Sequence, residues 1–430
     1  MSNILDTFRN AVESDTSSDS LTKLEGNDKL KSEGSWVFTS QGVAAKEGFR
    51  NVSVYWYPKT KSYDEGLEAL EKDRAQTEDI RATVNQMVPH VNDDGEFVFR
   101  YTVDGREFKP TEHAMNQVGT RYGTGTWYVN NLLVPVTDVK KNVVRKRDRH
   151  DAAALAVALV NGARDVDGSK DFLWRTRKDG TLRAMLTDRY AIVDNRWFLE
   201  LMKVLLPGGR LSHWKGDSDT IWGNILIPDF IREEKDSEYG GMLSVGNSEI
   251  GERRVSSMPS IFRAICMNGC IWGQKKGEGI AQVHRGKINL EKLAAEIESN
   301  LTKQIPLLPM GIDRLLKLRE LTFNCEAKPI IAAVASDKRF ALSKSQAKLL
   351  LESYLQECAV TPELARTGFA LANAFTRAGQ KLTSPADWVK FDEYGGTFVR
   401  EYSQSDLDHF DSKAKTMKAA EVDAVFSAAA

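Results

Sequence analysis

Three arginines define the chemistry to look for. Arg175 and Arg177 alternate along the apolar and aromatic run Phe172 to Arg177, and Arg183 lies on a second such run, Thr181 to Leu186. Side chains of an extended chain point alternately to opposite faces, so Leu173, Arg175 and Arg177 share one face while Phe172 and Trp174 share the other. One face can therefore pack while the other carries guanidiniums that meet phosphates. Two further basic groups stand apart in the chain. Lys140, Lys141, Arg145, Lys146, Arg147 and Arg149 fall within ten residues opposed only by Asp148. Arg253, Arg254, Arg263, Lys275, Lys276, Arg285 and Lys287 are spread through a glycine- and aromatic-rich stretch with Glu252 and Glu278 as nearby opposing charges. Trp127, Tyr128, Trp174, Tyr190 and Trp272 lie near these groups in sequence. Cations that follow a phosphate backbone, beside rings that stack on unpaired bases, are the chemistry of sequence-tolerant single-strand binding. The competing reading makes the arginines a solubility device on a sheet and the rings core residues.

Enzyme chemistries find less support. No GxxxxGK[ST] is present and no GxGxxG follows a strand, which argues against a nucleotide-driven motor or a dinucleotide enzyme. His90, His113, His150, His213, His284 and His409 are scattered, with no HxH or HExxH pair to hold a catalytic metal. Cys266 and Cys270 with His284 form the one set that could ligate a metal or act as thiol and base, against the commoner buried structural cysteine. The expectation is a protein without catalytic residues, metal or cofactor.

The elements that must position the arginines are legible around them. Lys178, Asp179 and Gly180 supply a turn, so Phe172 to Arg177 and Thr181 to Leu186 read as a hairpin. Arg189 to Val193 reads as a third strand. Asp194 or Asn195 then caps a helix whose stripe is Trp197, Phe198, Leu201, Met202 and Leu205. A second hairpin is expected over Glu96 to Pro110 around Asp104 and Gly105, followed by a helix from Thr111 to Gly123. Asp64 to Met87 reads as one long charged helix, Thr220 to Phe230 and Gly240 to Gly251 as strands, and the chain after Ile288 as helical. Ser343, Thr361-Pro362 and Ser384-Pro385 mark helix starts.

The chain has 430 residues, 41% hydrophobic and 28% charged, enough for two or three domains with a sizeable core. A net charge of -1 offers no general attraction to polyanions, so binding must come from local clustering. No run of apolar residues is long enough to span a membrane, and Met1 to Asp15 lacks the pattern of an export signal, so the protein is expected in the cytoplasm. Four cysteines without CxxC spacing suit that reducing compartment. The expected class is α+β, divided into a flexible arm over 1–34, a β-rich extension with a long helix over 35–109, an α+β core over 110–288, a helical part over 289–402, and a polar fraying tail over 403–430.

Several strings carry a resemblance. They are TEHAMNQVGTRYGTGTWYVNNLL, LTDRYAIVDNRWFLELMKVL, NSEIGERRVSSMPSIFRAICMNGC, the pair His284-Arg285, and GFALANAFTRAGQKLTSPADWV ending at Gly395-Gly396. Asn247, Ser248, Glu249, Gly251, Arg263, Cys266, Asn268 and Gly269 are the most specific part. Over roughly residues 106 to 400 the chain resembles the phage/plasmid-like family, a domain family of unknown function. That family is in turn distantly similar to phage single-strand annealing proteins, whose core is a β-hairpin, another strand and a helix. The resemblance implies a ring or filament of like chains that lays single-stranded DNA in a basic groove without ATP. It implies a role in recombination, replication or transcription of phage DNA in the host cytoplasm, beside phage replication or transcription proteins. It makes Arg175, Arg177, Arg183, Arg253, Arg254 and Arg263 phosphate-binding residues. Lys140, Lys141, Arg145, Lys146 and Arg147 join them from the densest basic run. The alternative is a protein-interaction factor that grips a host or phage polymerase or a defence enzyme.

Overall fold

Two six-stranded sheets and a block of helices carry the protein in this computed structural model. It describes residues 60–125, 129, 132, 136–138, 143–145, 149–234, 238–263, 268–271, 280–282, 284, 286, 288–382 and 385–427, with the backbone of two short N-terminal strands. Those strands, β1 (Val37–Thr39) and β2 (Gly42–Ala44), pair antiparallel. The arm expected over 1–34 lies outside the described residues.

Helix α1 (Tyr63–Arg74) opens on a capping box between Ser62 and Glu65. It stops well short of the Met87 end expected from the charge pattern, and the remainder forms β3 (Thr77–Thr83). Ile80 and Ala82 are buried there, and tertiary pairing outweighs the helical tendency of the flanking charged residues. Next come β4 (Met87–Val91), β5 (Phe97–Tyr101) and β6 (Glu107–Pro110), the last two forming the expected hairpin with Gly105 at φ 81°. Thr111 caps α2 (Glu112–Arg121) by accepting from Ala114 N, and Gly123 follows at φ 65°. Strands β7 (Val136–Asp138) and β8 (Val143–Arg145) pair with each other, and α3 (Arg149–Ala163) follows.

The hairpin β9 (Asp171–Arg177) and β10 (Thr181–Thr187) forms as expected around Gly180 at φ 85°. The first sheet runs β3-β9-β10-β6-β5-β4, with β6 and β10 parallel and the other pairs antiparallel. Pro89 lies on the edge strand β4, where its missing N–H costs no ladder bond. Met115, Val118, Leu155 and Leu159 of the two helices pack with Phe99, Phe108, Trp174 and Met185 on one face of this sheet.

The third strand expected at Arg189 to Val193 is absent: this stretch makes no ladder. Its carbonyls at Arg189, Ala191 and Val193 instead take Gly286 N at 2.7 Å, His284 Nδ1 at 3.0 Å and Asn247 Nδ2 at 2.7 Å. Asp194 then accepts from Arg196 N and Trp197 N to open α4 (Asn195–Leu205), which buries Phe198, Leu199, Met202 and Leu205.

The second sheet is antiparallel and curled, β11 (Arg210–Gly216), β12 (Thr220–Glu233), β13 (Glu238–Ser248), β14 (Val255–Arg263) and β15 (Asn268–Ile271) in order, with β16 (Ile280–Gln282) also on β14. Register shifts in both the β11–β12 and β12–β13 pairs accompany its curvature. Leu70, Phe198 and Met202 cover one face together with Leu293, Ile297 and Leu301 of α5 (Leu290–Gln304).

The helical block comprises α6 (Leu308–Lys317), α7 (Ala327–Ala335), α8 (Lys344–Val360), α9 (Gly368–Gln380), α10 (Pro385–Glu401), α11 (Gln404–Thr416) and α12 (Ala419–Phe426). Ser343 starts α8 with a capping box, whereas Thr361-Pro362 begins only a single 3₁₀ turn. Phe340, Phe375, Phe398 and Phe410 form its aromatic core, which reaches the curled sheet at Tyr239 and Ile261. The fraying tail is corrected: Leu407, Phe410 and Ala414 of α11 and Val422 of α12 are buried, because their helical spacing presents one apolar stripe to the block. The class is α+β, with the helical C-terminal part extending to Phe426.

Candidate functional site

Alternation along β9 holds, but its consequence differs from the expectation. Phe172 and Trp174 enter the first core, and Leu173, Arg175 and Arg177 do share the opposite face. That face is covered. The Ser218–Asp219 turn before β12 and the Glu249–Ile250 segment after β13 lie against it, so two sheets meet through charged groups.

Arg175 is 5% exposed; its Nε lies 3.0 Å from Asp79 Oδ1 and its Nη1 3.0 Å from Glu249 Oε2. Arg177 holds Asp73 with two nitrogens, at 2.7 and 3.1 Å, and its Nη2 lies 3.6 Å from Asp219 Oδ2. Arg183, fully buried, is paired with Asp219 and donates to the Ser218 carbonyl at 3.2 Å. A bulge between Leu182 and Ala184 lets Arg183 turn toward Asp219, which Arg177 also faces. These guanidiniums are therefore not an open phosphate-binding face. Carboxylates neutralise them inside the protein, and a polyanion could reach them only by separating the sheets.

The seam is fixed from both sides. Glu249 Oε1 accepts from Asn195 N at 2.8 Å, and Asn195 Oδ1 takes Asn247 Nδ2 at 2.8 Å. Asn247 Nδ2 also donates to the Val193 carbonyl at 2.7 Å. Burial pushes the Glu249 carboxyl upward, and the Arg175 charge pulls it back. Desolvation also raises Asp73, but hydrogen bonds from Arg177 and Ser218 outweigh it and hold this carboxyl well below the usual range.

Arg263 is corrected likewise. It is 1% exposed, sits 5.0 Å over the Phe369 ring, and lies 3.5 Å from Glu357, whose other oxygen accepts from Arg377 Nε at 2.6 Å. Its position joins the curled sheet to α8 and α9. Trp174 is a core residue whose Nε1 donates to Ala82 O at 3.0 Å.

Arg253 and Arg254 differ from the others. Arg253 is half-buried, 5.0 Å over the Trp222 ring, and Arg254 is exposed. Arg189, also exposed, begins the stretch that failed to form a strand. Neither Arg189 nor Arg254 has an ion-pair partner among the described residues. Arg189 accepts a hydrogen bond from Gly286 N, Arg254 adjoins Val255, which pairs with Gln282, and Tyr190 stacks on His284 at 5.1 Å. Tyr190 donates to Ser248 O at 2.7 Å and so ties this stretch to the seam. Asp188 and Glu252, next to Arg189 and Arg253 in sequence, are exposed, and Arg285 and Lys287 lie outside the described residues.

His284 is a structural residue here. Its Nδ1 faces the Ala191 carbonyl and must carry the proton, and burial pushes its pKa below the ordinary histidine value. The Arg145 backbone lies in β8 and that of Cys270 in β15. Lys140, Lys141, Lys146, Arg147, Trp127, Tyr128, Trp272, Cys266, Lys275 and Lys276 lie outside the described residues. Among the described residues no cluster of histidines, cysteines and carboxylates could hold a metal ion, and no helix is long and apolar enough to cross a membrane. No protein-family model, curated protein or solved structure matches the chain.

Sequence reasoning passed over Asp73, Asp79, Asp219 and Arg189 as functional positions. The first three lie in segments distant from the hairpin, and nothing local marks them as partners. Arg189 was visible only as the first residue of an expected strand.

Proposed function

We propose that the protein binds single-stranded nucleic acid through the edge formed by Arg189, Arg253 and Arg254, serving phage recombination, replication or transcription. The observation that carries this reading is the contrast in pairing. Arg175, Arg177, Arg183 and Arg263 are each held by a carboxylate, whereas Arg189 and Arg254 are exposed cations without one among the described residues. The buried arginines have no part in contact with it; they hold the edge in place.

Fluorescence anisotropy of a labelled oligo(dT) against salt tests the reading. Affinity falls steeply as salt rises, and Arg189→Ala with Arg254→Ala reduces the slope of log K against log salt by about 1.4, the share of two phosphate contacts. Absence of binding at about 50 mM salt would overturn it.

A second reading rests on α3. Val157 and Val160 are 61% and 36% exposed, beside exposed Ala153 and Ala154, an apolar stripe suited to a protein partner. A stoichiometric protein that copurifies without nucleic acid, and is lost in Val157→Asp, supports it.

A further inference from the structure

The stretch from Arg189 to Val193 has two unlike edges. Hydrogen bonds to the carbonyls of Arg189, Ala191 and Val193 recur at every second residue, the spacing of an extended chain that directs alternate carbonyls to one side. That side is filled. On the other side Tyr190 N–H closes the preceding turn onto the Thr187 carbonyl at 2.9 Å, while no hydrogen bond from the described residues reaches the Tyr190 carbonyl or either backbone group of Ile192. Ile192 is 38% exposed, so the residue that carries the two unbonded backbone groups lies at the surface. The segment is held rigidly from behind by His284 and Asn247, two buried side chains, while its front is left open.

We infer that this open edge is the bed on which an unpaired polynucleotide lies, with the Ile192 N–H and C=O bonding to base edges and Arg189 and Arg254 holding phosphates. The inference rests on the nucleic-acid reading above and adds its mode of contact. Unpaired bases present both donors and acceptors, and backbone groups cannot choose a side-chain partner, so recognition of this kind accepts many sequences. An open edge also fits an extended peptide. The unpaired cations flanking it favour a polyanion, which sets the order of the two readings.

The test uses the full chain with two substitutions. Ile192→Pro removes the N–H and keeps an extended backbone; Ile192→Asp keeps the backbone and sets a carboxylate beside the phosphates. Anisotropy is measured with oligo(dT) and with an abasic strand of equal length, and each variant's melting curve is recorded. The expected result is about tenfold weaker oligo(dT) binding by Ile192→Pro, one lost hydrogen bond, with abasic binding and the salt slope unchanged. Ile192→Asp weakens both strands, and carries the test if the proline variant melts early. Equal oligo(dT) binding by wild type and both variants overturns the inference and leaves the nucleic-acid reading intact. Loss of Ile192→Pro affinity for abasic strand as well overturns the base contact specifically. Failure of the wild type to bind either strand removes both.

Discussion

Arg175 Nη1 lies 3.0 Å from Glu249 Oε2 and donates to the Glu249 carbonyl at 2.7 Å, so one guanidinium bonds both the side chain and the backbone of the residue that follows β13 of the opposing sheet. Breaking a buried ion pair leaves an uncompensated charge. Arg175→Met should therefore cost about 3–5 kcal/mol in urea unfolding, with Arg175→Met/Glu249→Gln recovering part of it. A loss under about 1 kcal/mol would show that the pair does not hold the seam.

Acid should weaken the protein in two stages. His284 has its folded pKa depressed by burial, so the unfolded chain takes up protons first as pH falls below about 6.5. Its contribution is complete above that pH and lost as pH drops through the folded value. Asp73 follows the same sign at lower pH: its folded pKa is held down, and the stability it lends above about pH 4 disappears as acid protonates it. Melting temperature measured from pH 7 to 5 should fall in the wild type and flatten in His284→Asn, whose amide keeps the donor without titrating. Parallel curves would refute the assignment to His284.

Gly240 pairs with Phe262 across β13 and β14, and a Cβ built on it would stand 2.0 Å from Phe262 Cε1. Gly240→Ala must displace that ring in a closely packed layer. It should cost about 1–3 kcal/mol in unfolding free energy, and Gly240→Ala/Phe262→Leu should regain some of it. A neutral Gly240→Ala would mean the ring has room to move.

The C-terminal helices offer a coarser test. A chain stopped after Tyr402 loses the buried Leu407 and Phe410, each worth about 2–3 kcal/mol of burial. Its helical block should melt earlier and bind a hydrophobic dye. Unchanged melting would place these helices outside the cooperative unit.

The hairpin, its turn glycine and the Asp194 cap were legible because local chemistry alone settles them: a short alternating run, a residue at positive φ, a carboxylate before an apolar stripe. The face on which Arg175 and Arg177 lie was legible too, since strand alternation allows nothing else. Its covering was not. Asp79 stands 96 residues from Arg175, and Asp73 stands 104 from Arg177. An arginine in a strand looks the same whether water or a distant carboxylate meets it. The third strand failed for a related reason: its alternation was right, but the carbonyls found His284, Asn247 and Gly286 instead of a neighbouring strand. In the tail, polar composition concealed a narrow stripe of Leu407, Phe410 and Ala414.

The sequence distance across the seam also bears on biosynthesis. A ribosome delivers Arg175, Arg177 and Arg183 before Asp219 or Glu249 has been translated, so the emerging polypeptide carries these cations with only part of their counter-charge. Asp73 and Asp79 are already made by then, so the first sheet can neutralise part of its own charge while the seam waits for the synthesis of β13 and Glu249.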